Sequence, residues 1–537
     1  MSHRFSAILC CGLLILCTSS SAPGQQVADL PGAQWFGRYP NQSYYQGLAL
    51  YRDGDVDTAT EAFQTALAGC LRDTNELWID AIPVHAMLGE CFYQAGNLRQ
   101  ALTHIEAALS LLHRHRDWLE RFDWPSAAVG LALPADERSG WIAQNQTSVL
   151  AVPDRLLLAS ADPQLTRSRN ARPLLALAGR AQLDAVEIYR GAALASYRRR
   201  LILGELADQT SRTSPAPRQP DQPTSSLAHL LLDTVDRCHE LACGQPQTAE
   251  DLESQATWEQ SIHPLTPVLL LAAARVAAEQ DQFAQCSSLA KRAAEAAGLL
   301  GQPEFIAEGL LLAVGTHEVD LQAPDTNYAT VAVHYLRRGR MGTVGALLAA
   351  SEAALQRNDP RTADEWLKQA RALLQRRGLR LPRLAAHSDY LVACLAARNG
   401  AAMGGSQSTA VDEAVQRLRS FARGPQLDLS SPRTPRCFQM NLALVRSRHR
   451  GADPQQTETL LERVIRDPPT WLWKLDPVDA LSFQLEDRSP AVAAKLSLVA
   501  QRDDLSDLAA LADALLRYRY LAQLPLGGRV QQVRWIA

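Results

Sequence analysis

The strongest constraint on the fold is a pattern of small and apolar residues that occurs twice near the N-terminus. In each copy, apolar residues recur every three or four positions on both sides of a glycine, which is the period of two amphipathic helices joined by a tight turn. The second copy follows the first at a constant offset of 42 residues. The matched positions are Gly47 and Gly89, Leu50 and Phe92, Gly54 and Gly96, Val56 and Leu98, Ala59 and Ala101, Phe63 and Ile105, and Ala66 and Ala108. The pattern predicts two helical hairpins in which small residues such as Gly89 and Ala101 lie where the helices cross.

The spacing G-x-x-[LYF]-x-x-x-G-x-[LVY]-x-x-A-x-x-x-[FIL]-x-x-A resembles the tetratricopeptide repeat, although its period is longer than the family's usual ~34 residues. Weaker copies occur at 268–297 and 346–374, where Asp281 and Asn358 replace the turn glycine. Two more helical pairs, at 390–421 and 438–465, fit either a solenoid or a generic helical bundle.

The resemblance implies an all-α chain, built as an α-solenoid of tetratricopeptide-like hairpins with an irregular insertion. With 537 residues, the chain is too long for one compact core. The predicted division is a signal peptide (1–24), two clear repeats (25–115), an irregular insertion (116–172), a helical segment (173–207), a Pro/Ser-rich linker (208–226), a degenerate helical-repeat array (227–521) and a C-terminal tail (522–537).

The N-terminus has the three-part pattern of a secretory signal peptide. Arg4 precedes a largely apolar run of 13 residues, which is followed by small and polar residues. The run is too short to span a bilayer comfortably, since that takes about 20 residues. We expect cleavage after Gly24, with Ala22 at the −3 position. A lipoprotein is disfavoured because Leu16, rather than a small residue, precedes Cys17. The sequence therefore predicts export to the periplasm, the envelope or the extracellular space, with no membrane span after signal removal.

The net charge bears on the choice of partner, and the cysteine content bears on disulfide formation. The net charge of −3, from 54 basic and 57 acidic residues, provides no field that would recruit nucleic acid, so no nucleic-acid partner is expected. Seven cysteines follow the signal peptide at wide, irregular spacings. At most three disulfides could form, and most of these cysteines are predicted to be small buried apolar residues.

The candidate motifs for catalysis and metal binding do not have the residue spacing that these functions require. In CHELAC, residues 238–243, a cysteine stands where the zinc motif HExxH has its second histidine, and a helix would separate Cys238 from Cys243 by about 140°. None of the four lysines follows a glycine, as a phosphate-binding P-loop requires. The glycines of GRMGTVG, residues 339–345, do not match the dinucleotide fingerprint and are predicted to lie in a loop. The sequence thus predicts no metal, no cofactor and no enzymatic activity.

The resemblance also implies where a partner would bind, because the first helices of tetratricopeptide hairpins line a concave groove that holds peptides or partner helices. The family's groove positions fall on six residues of the two clear units: Tyr44, Tyr51, Arg52, Glu90, Tyr93 and Gln94. The alternative is that some of these tyrosines are half-buried packing residues. The carboxylate-clamp subtype of the family is not implied, since Tyr44 and Leu48 stand where it has Lys and Asn.

The predicted function is that of an exported scaffold or adaptor that binds protein or peptide partners in the cell envelope. Two alternatives stay open at this point. The chain could be a structural component of the envelope, or it could be an enzyme whose site no motif reveals.

Overall fold

The computed structural model describes residues 38–523 apart from several gaps. The gaps are 74–75, 120–121, 123, 125–128, 133–147, 153–155, 158–181, 211–225, 259–260, 317–325, 337–339, 377–378, 404–415, 418–420, 422–432, 450–452 and 503–504. The predicted signal peptide, most of the irregular insertion, residues 211–225 of the predicted linker and residues 524–537 of the predicted tail lie outside the described residues. The described chain is predominantly helical, which confirms the all-α fold class.

The helices are numbered in chain order. They are α1 (Gln42–Asp53), α2 (Val56–Ala68), α3 (Ala81–Gln94), α4 (Leu98–Arg114), α5 (Arg116–Leu119), α6 (Ala185–Leu203), α7 (Ala207–Thr210), α8 (Ser226–Ala242), α9 (Ala249–Ser254), α10 (Thr266–Glu279), α11 (Phe283–Leu299), α12 (Pro303–Thr316), α13 (Thr326–Tyr335), α14 (Arg340–Gln356), α15 (Pro360–Leu374), α16 (Pro382–Met403), α17 (Pro435–Ser447), α18 (Pro454–Ile465), α19 (Thr470–Leu475), α20 (Pro477–Leu485), α21 (Ser489–Val499) and α22 (Leu505–Gln523).

Four hairpins, α1/α2, α3/α4, α10/α11 and α14/α15, end their first helix at the same kind of turn. The turn residues have positive φ, at 87° for Gly54, 78° for Gly96, 59° for Asp281 and 61° for Asn358. In each hairpin the amide of the next residue donates to the carbonyl five positions earlier, at 2.8 to 3.0 Å. This is the hydrogen bond of a Schellman turn, and Asp and Asn are among the few non-glycine residues that tolerate its left-handed position. The weaker copies therefore keep the turn although they lack the glycine.

Small residues lie at the helix crossings of these hairpins. A Cβ added at Gly89 would lie 2.8 Å from Ile105 Cγ1 and 3.3 Å from the carbonyl oxygen of Ala101, which confirms the predicted crossing. A Cβ added at Gly47 would lie 2.9 Å from the ring of Phe63, the residue matched to Ile105. Neither glycine can carry a side chain without a shift of its neighbour. The repeated sequence spacing thus corresponds to a repeated contact, in which a glycine of the first helix lies against the matched side chain, Phe63 or Ile105, of the second.

The inner helices of the fold, α1, α3, α6, α10, α12 and α14, form a closed ring. Each packs on the next, and α14 packs on α1. The helices α2, α4, α8 and α11 pack against successive pairs of inner helices. A second junction lies beside the first turn, where the amide of Arg380 donates to the carbonyl of Gly54 and the Arg380 guanidinium pairs with Asp57. The first hairpin therefore contacts the last one directly.

The strands are two to four residues long and fall into three small sheets. They are β1 (Arg38–Tyr39), β2 (Arg72–Asp73), β3 (Glu76–Leu77), β4 (Val129–Ala132), β5 (Ser148–Ala151), β6 (Leu156–Leu157), β7 (Gln182–Leu183), β8 (Thr257–Trp258) and β9 (Ser261–Ile262). Their orders are β1-β7-β6, β2-β3 and β4-β5-β9-β8. Within the predicted insertion β4 and β5 are antiparallel, and β5 runs parallel to β9, which lies in the predicted helical array.

Two sequence-based expectations differ from the structure. The predicted helical segment 173–207 has its helix from Ala185, because Gln182 and Leu183 pair with β1 and β6, and the Asp184 side chain caps the helix by accepting from the Glu187 amide. The glycines of 339–345 were expected in a loop, but Gly342 and Gly345 lie inside α14. At Gly345 a side chain would collide with Ala307 of α12, whereas Gly342 has only an ordinary contact with Pro303.

Candidate functional site

The six predicted groove residues lie inside the ring or at its rim. Tyr44, Tyr51 and Glu90 are at most 1% exposed, and Tyr93 is also buried. Arg52 and Gln94 are half-buried. The buried side chains are covered by α6, a helix that lies outside the two clear repeats. In this conformation they do not line an open groove.

One half of the ring centre holds ion pairs that join α1, α6 and α12. Arg190 of α6 contacts Glu304 at 2.8 Å and Glu187 at 2.8 Å. Tyr44 donates its hydroxyl to Glu187 at 2.5 Å, and Arg52 lies 3.5 Å from Glu304. The Arg190 and Glu304 side chains are 2% and 1% exposed, so these charges are held in the interior.

The other half joins α3, α6, α10 and α12. Arg198 contacts Glu90 at 2.5 Å and Glu308 at 2.7 Å. Arg275 lies 2.9 Å from Glu308, and Tyr197 donates to the same carboxylate at 2.6 Å. The two halves are linked through α6, and Tyr51 of α1 donates to Glu90 at 2.7 Å.

The polar centre is balanced in charge. It contains four arginines, at 52, 190, 198 and 275, and four glutamates, at 90, 187, 304 and 308. Burial costs several kcal/mol for each unpaired ion, so such a centre is tolerated only when every charge has a partner. Burial alone would raise the pKa of Glu308, but the charges of Arg198 and Arg275 outweigh it and lower the pKa to about 2. The same pairing holds the pKa of Arg198 well above its usual value, against the effect of burial.

Sequence reasoning missed the arginines of α6. The sequence pattern that could have revealed them is a Tyr–Arg pair that occurs at 189–190 and again eight residues later at 197–198, in an otherwise Ala-rich helix. Eight residues are a little more than two helical turns, so both arginines lie on one side of the helix. A paired recurrence of arginine on an apolar helix indicates buried partners, but it does not say which carboxylates they are.

The ring opens at a mouth formed by the C-terminal ends of α3, α6 and α10. Two cavities of about 110 and about 300 Å³ lie there, and Tyr93, Arg275 and Asp476 line both. Tyr93 is stacked between two guanidinium groups, with Arg198 at 4.6 Å and Arg383 at 4.1 Å from the ring centroid. Of the six predicted residues, Tyr93 and Gln94 line the smaller cavity.

The smaller cavity is lined by charged side chains that form ion pairs with each other. His387 Nε2 lies 3.0 Å from Glu352, and Arg383 lies 3.4 Å from Asp476. Among the described lining residues there is no serine, threonine or cysteine that could act as a nucleophile. Lys474 also lines this cavity. Its Nζ lies 3.7 Å from the centroid of the Phe283 ring. The arrangement can bind peptide groups of either charge.

Metal ligands do not assemble in the part of the chain that the structure describes. No group of three or more His, Cys, Asp or Glu side chains there could hold a metal ion. In CHELAC, Cys243, the residue after the end of α8, has its Sγ 3.6 Å from His239 Nε2. None of the seven cysteines from Cys70 to Cys437, all of which the structure describes, is in a disulfide, and all but Cys394 are buried. No described helix combines the length and apolar character needed to cross a membrane.

No protein-family model matches the chain, and no curated protein matches its sequence significantly.

The low pKa of Glu308 predicts an acid-sensitive stability. Because the folded-state pKa is about 2 and lies below the unfolded value, this carboxylate stabilises the fold above about pH 4.5, and the contribution is lost as the pH falls towards 2. Between pH 4.5 and pH 3 the loss from Glu308 should be roughly 1 kcal/mol, after allowance for its partial exposure. Urea unfolding midpoints of wild type and Glu308→Gln at the two pH values measure it. The variant should lose less stability over this interval, and parallel losses would contradict the assignment.

Proposed function

We propose that this protein is an exported binding scaffold of tetratricopeptide-like hairpins, arranged as a solenoid that curls until its first and last hairpins meet. Support comes from the four hairpins that share one turn geometry and from the glycines at the helix crossings of the first two. The export proposal rests on the N-terminal sequence alone. The scaffold works without a cofactor, and its partners are proteins or peptides rather than nucleic acid.

The partner-binding surface that we propose is the mouth of the ring. The observation that carries this proposal is the set of aromatic and charged side chains around two cavities, with Tyr93 between two arginines. Tyrosine and arginine are enriched among the residues that dominate binding energy at protein interfaces. Tyr44 and Tyr51, by contrast, serve as internal anchors for Glu187 and Glu90.

Site-specific photocrosslinking tests this proposal. A photoreactive amino acid placed at Gln94, which lines the smaller cavity, should crosslink to a discrete partner in the cells that make the protein. The matched control is Gln64, an exposed position on α2. Identical products from both positions, or none from Gln94, would count against a binding surface at the mouth.

An enzyme is the second candidate, and one observation favours it: several acidic and basic side chains converge on the smaller cavity, among them the His387–Glu352 pair. A proton donor or acceptor must be free to change its charge, whereas Glu308 is held by Arg198, Arg275 and Tyr197. Incubation of the purified chain with cell extracts, followed by mass spectrometry, tests for chemistry. A conversion that is lost in His387→Gln would favour the enzyme.

A further inference from the structure

The mouth of the ring is covered by a part of the same chain. Residues 433–499, called here the C-terminal module, contain α17 to α21. Several apolar side chains of the module, among them Met440, Leu461 and Phe483, form a cluster that is separate from the main core. Leu206, which lies between α6 and α7, joins this cluster, so the module packs both on itself and on the end of α6.

The seam between the C-terminal module and the ring has apolar contacts, since Phe438 and Leu475 belong to the main core, but it also contains cavities and ion pairs. The two cavities at the mouth, and a third of about 290 Å³ between α4 and α17, are each lined from both sides of the seam. Close-packed interiors leave few voids larger than a water molecule. At the rim, Arg463 lies 3.1 Å from Asp208 and Arg436 lies 3.3 Å from Glu205. Parts of one chain are expected to move relative to each other unless the interface between them is large and hydrophobic, and the cavities and rim ion pairs limit the apolar contact here.

Helix α19 and the residue that follows it, Asp476, form the part of the C-terminal module over the mouth and contact the ring through several side chains. Leu472 and Leu475 are buried, and Leu475 belongs to the main core. Lys474 Nζ lies over the Phe283 ring at 3.7 Å, and its backbone carbonyl approaches so closely that a side chain at Gly315 would collide with it. Asp476 accepts from Arg383 at 3.4 Å.

At the mouth, the Phe283 ring therefore faces the ammonium group of Lys474. Two residues further along the same segment, the Arg383 guanidinium faces the carboxylate of Asp476. The aromatic face can attract the ammonium group by its quadrupole, and the stacked Arg383 is pre-oriented for an acid. Gly315 admits the backbone between them. The segment that these features contact has the order Lys474, Leu475, Asp476, and it lies at the C-terminal end of α19.

We propose that the surface beneath α19 is a peptide-binding site, that α19 occupies it in the unbound protein, and that the partner carries a Lys-Leu-Asp segment that replaces α19. This inference rests on the proposed scaffold function and names its partner class. It requires the C-terminal module to undock before the partner binds.

Undocking is tested first, by a charge swap at the rim of the seam. Arg463→Glu places an acid beside Asp208 and Glu205, so the amides of residues 470–485 should exchange with deuterium roughly three- to tenfold faster than in wild type. The double variant Asp208→Arg/Arg463→Glu restores the ion pair and should restore the slow exchange, which also shows that the single variant is folded. The control is Lys368→Glu, which breaks an exposed ion pair with Asp364 on α15, away from the seam. Unchanged exchange in Arg463→Glu overturns the proposal.

Replacement is tested second, with a fluorescent peptide of residues 468–480 added to the full-length protein. Fluorescence anisotropy should show at least about fivefold tighter binding to Arg463→Glu than to wild type, because the site of the variant is vacated more often. A peptide of the same composition with Lys474→Asp and Asp476→Lys should bind more weakly to both. Equal affinity for the two proteins, or for the two peptides, overturns the proposed site. Crosslinking from Gln94 answers the scaffold question separately, since it does not depend on the identity of the segment.

Discussion

Replacing Arg198 by methionine should destabilise the protein by about 3–5 kcal/mol, because it leaves buried carboxylates without their partner. Arg198 contacts both Glu90 and Glu308, and its own side chain is 1% exposed. Methionine retains much of the apolar length but supplies no charge and no donor. The shift of the urea midpoint measures the loss, with the slope of the transition as a check on a single cooperative unit.

Arg200→Met, two residues further along α6, is the matched control. Arg200 pairs with Glu279 at 3.0 Å, but both side chains are partly exposed, at 23% and 33%. Exposed pairs contribute about 0–1 kcal/mol, so this variant should lose little stability. A second variant separates an unpaired charge from lost packing: Arg198→Met/Glu90→Gln should be more stable than Arg198→Met alone. Similar losses for Arg198→Met and Arg200→Met would show that the centre of the ring is hydrated rather than dry.

The hairpins could be predicted from the sequence because their determinants are local. Gly89 and Ile105 lie 16 positions apart, within one helical pair, and the apolar period defines both helices around them. The turns at Asp281 and Asn358 were less visible, since nothing in their spacing distinguishes a left-handed aspartate from any other loop aspartate. Local signals therefore define the repeated unit but not all of its variants.

The polar centre could not be predicted, because its partners are far apart in the chain. Arg190 and Glu304 are separated by 114 positions, and Arg198 and Glu90 by 108. No local pattern tells which carboxylate meets which guanidinium. The family's groove positions place Tyr51 and Glu90 on an open concave face, whereas in this structure both side chains are buried at the centre of the ring. Whether a concave face is open or filled depends on α6 and on the curvature of the whole array.

The curvature itself depends on how closely neighbouring inner helices approach, and α14 contains two glycines that test this. A Cβ added at Gly345 would lie 2.6 Å from the Cα of Ala307 on α12, whereas the nearest atom to a Cβ at Gly342 is 3.4 Å away, on Pro303. The first distance is a collision with backbone, and the second is an ordinary contact. The two positions are three residues apart on the same helix, so they differ mainly in the space around them.

Gly345→Ala should therefore destabilise the protein by about 2 kcal/mol, because overpacking costs about 1–3 kcal/mol and forces α12 and α14 apart. Gly342→Ala should stabilise it by up to about 1 kcal/mol, since alanine is the better helix former and the site has room. Urea midpoints of the two variants against wild type give the comparison. Stabilisation by both substitutions would mean that α12 and α14 are further apart in solution than the ring requires. In that case the array would be more open than described, and the buried carboxylates of α12 would be reachable from its concave side.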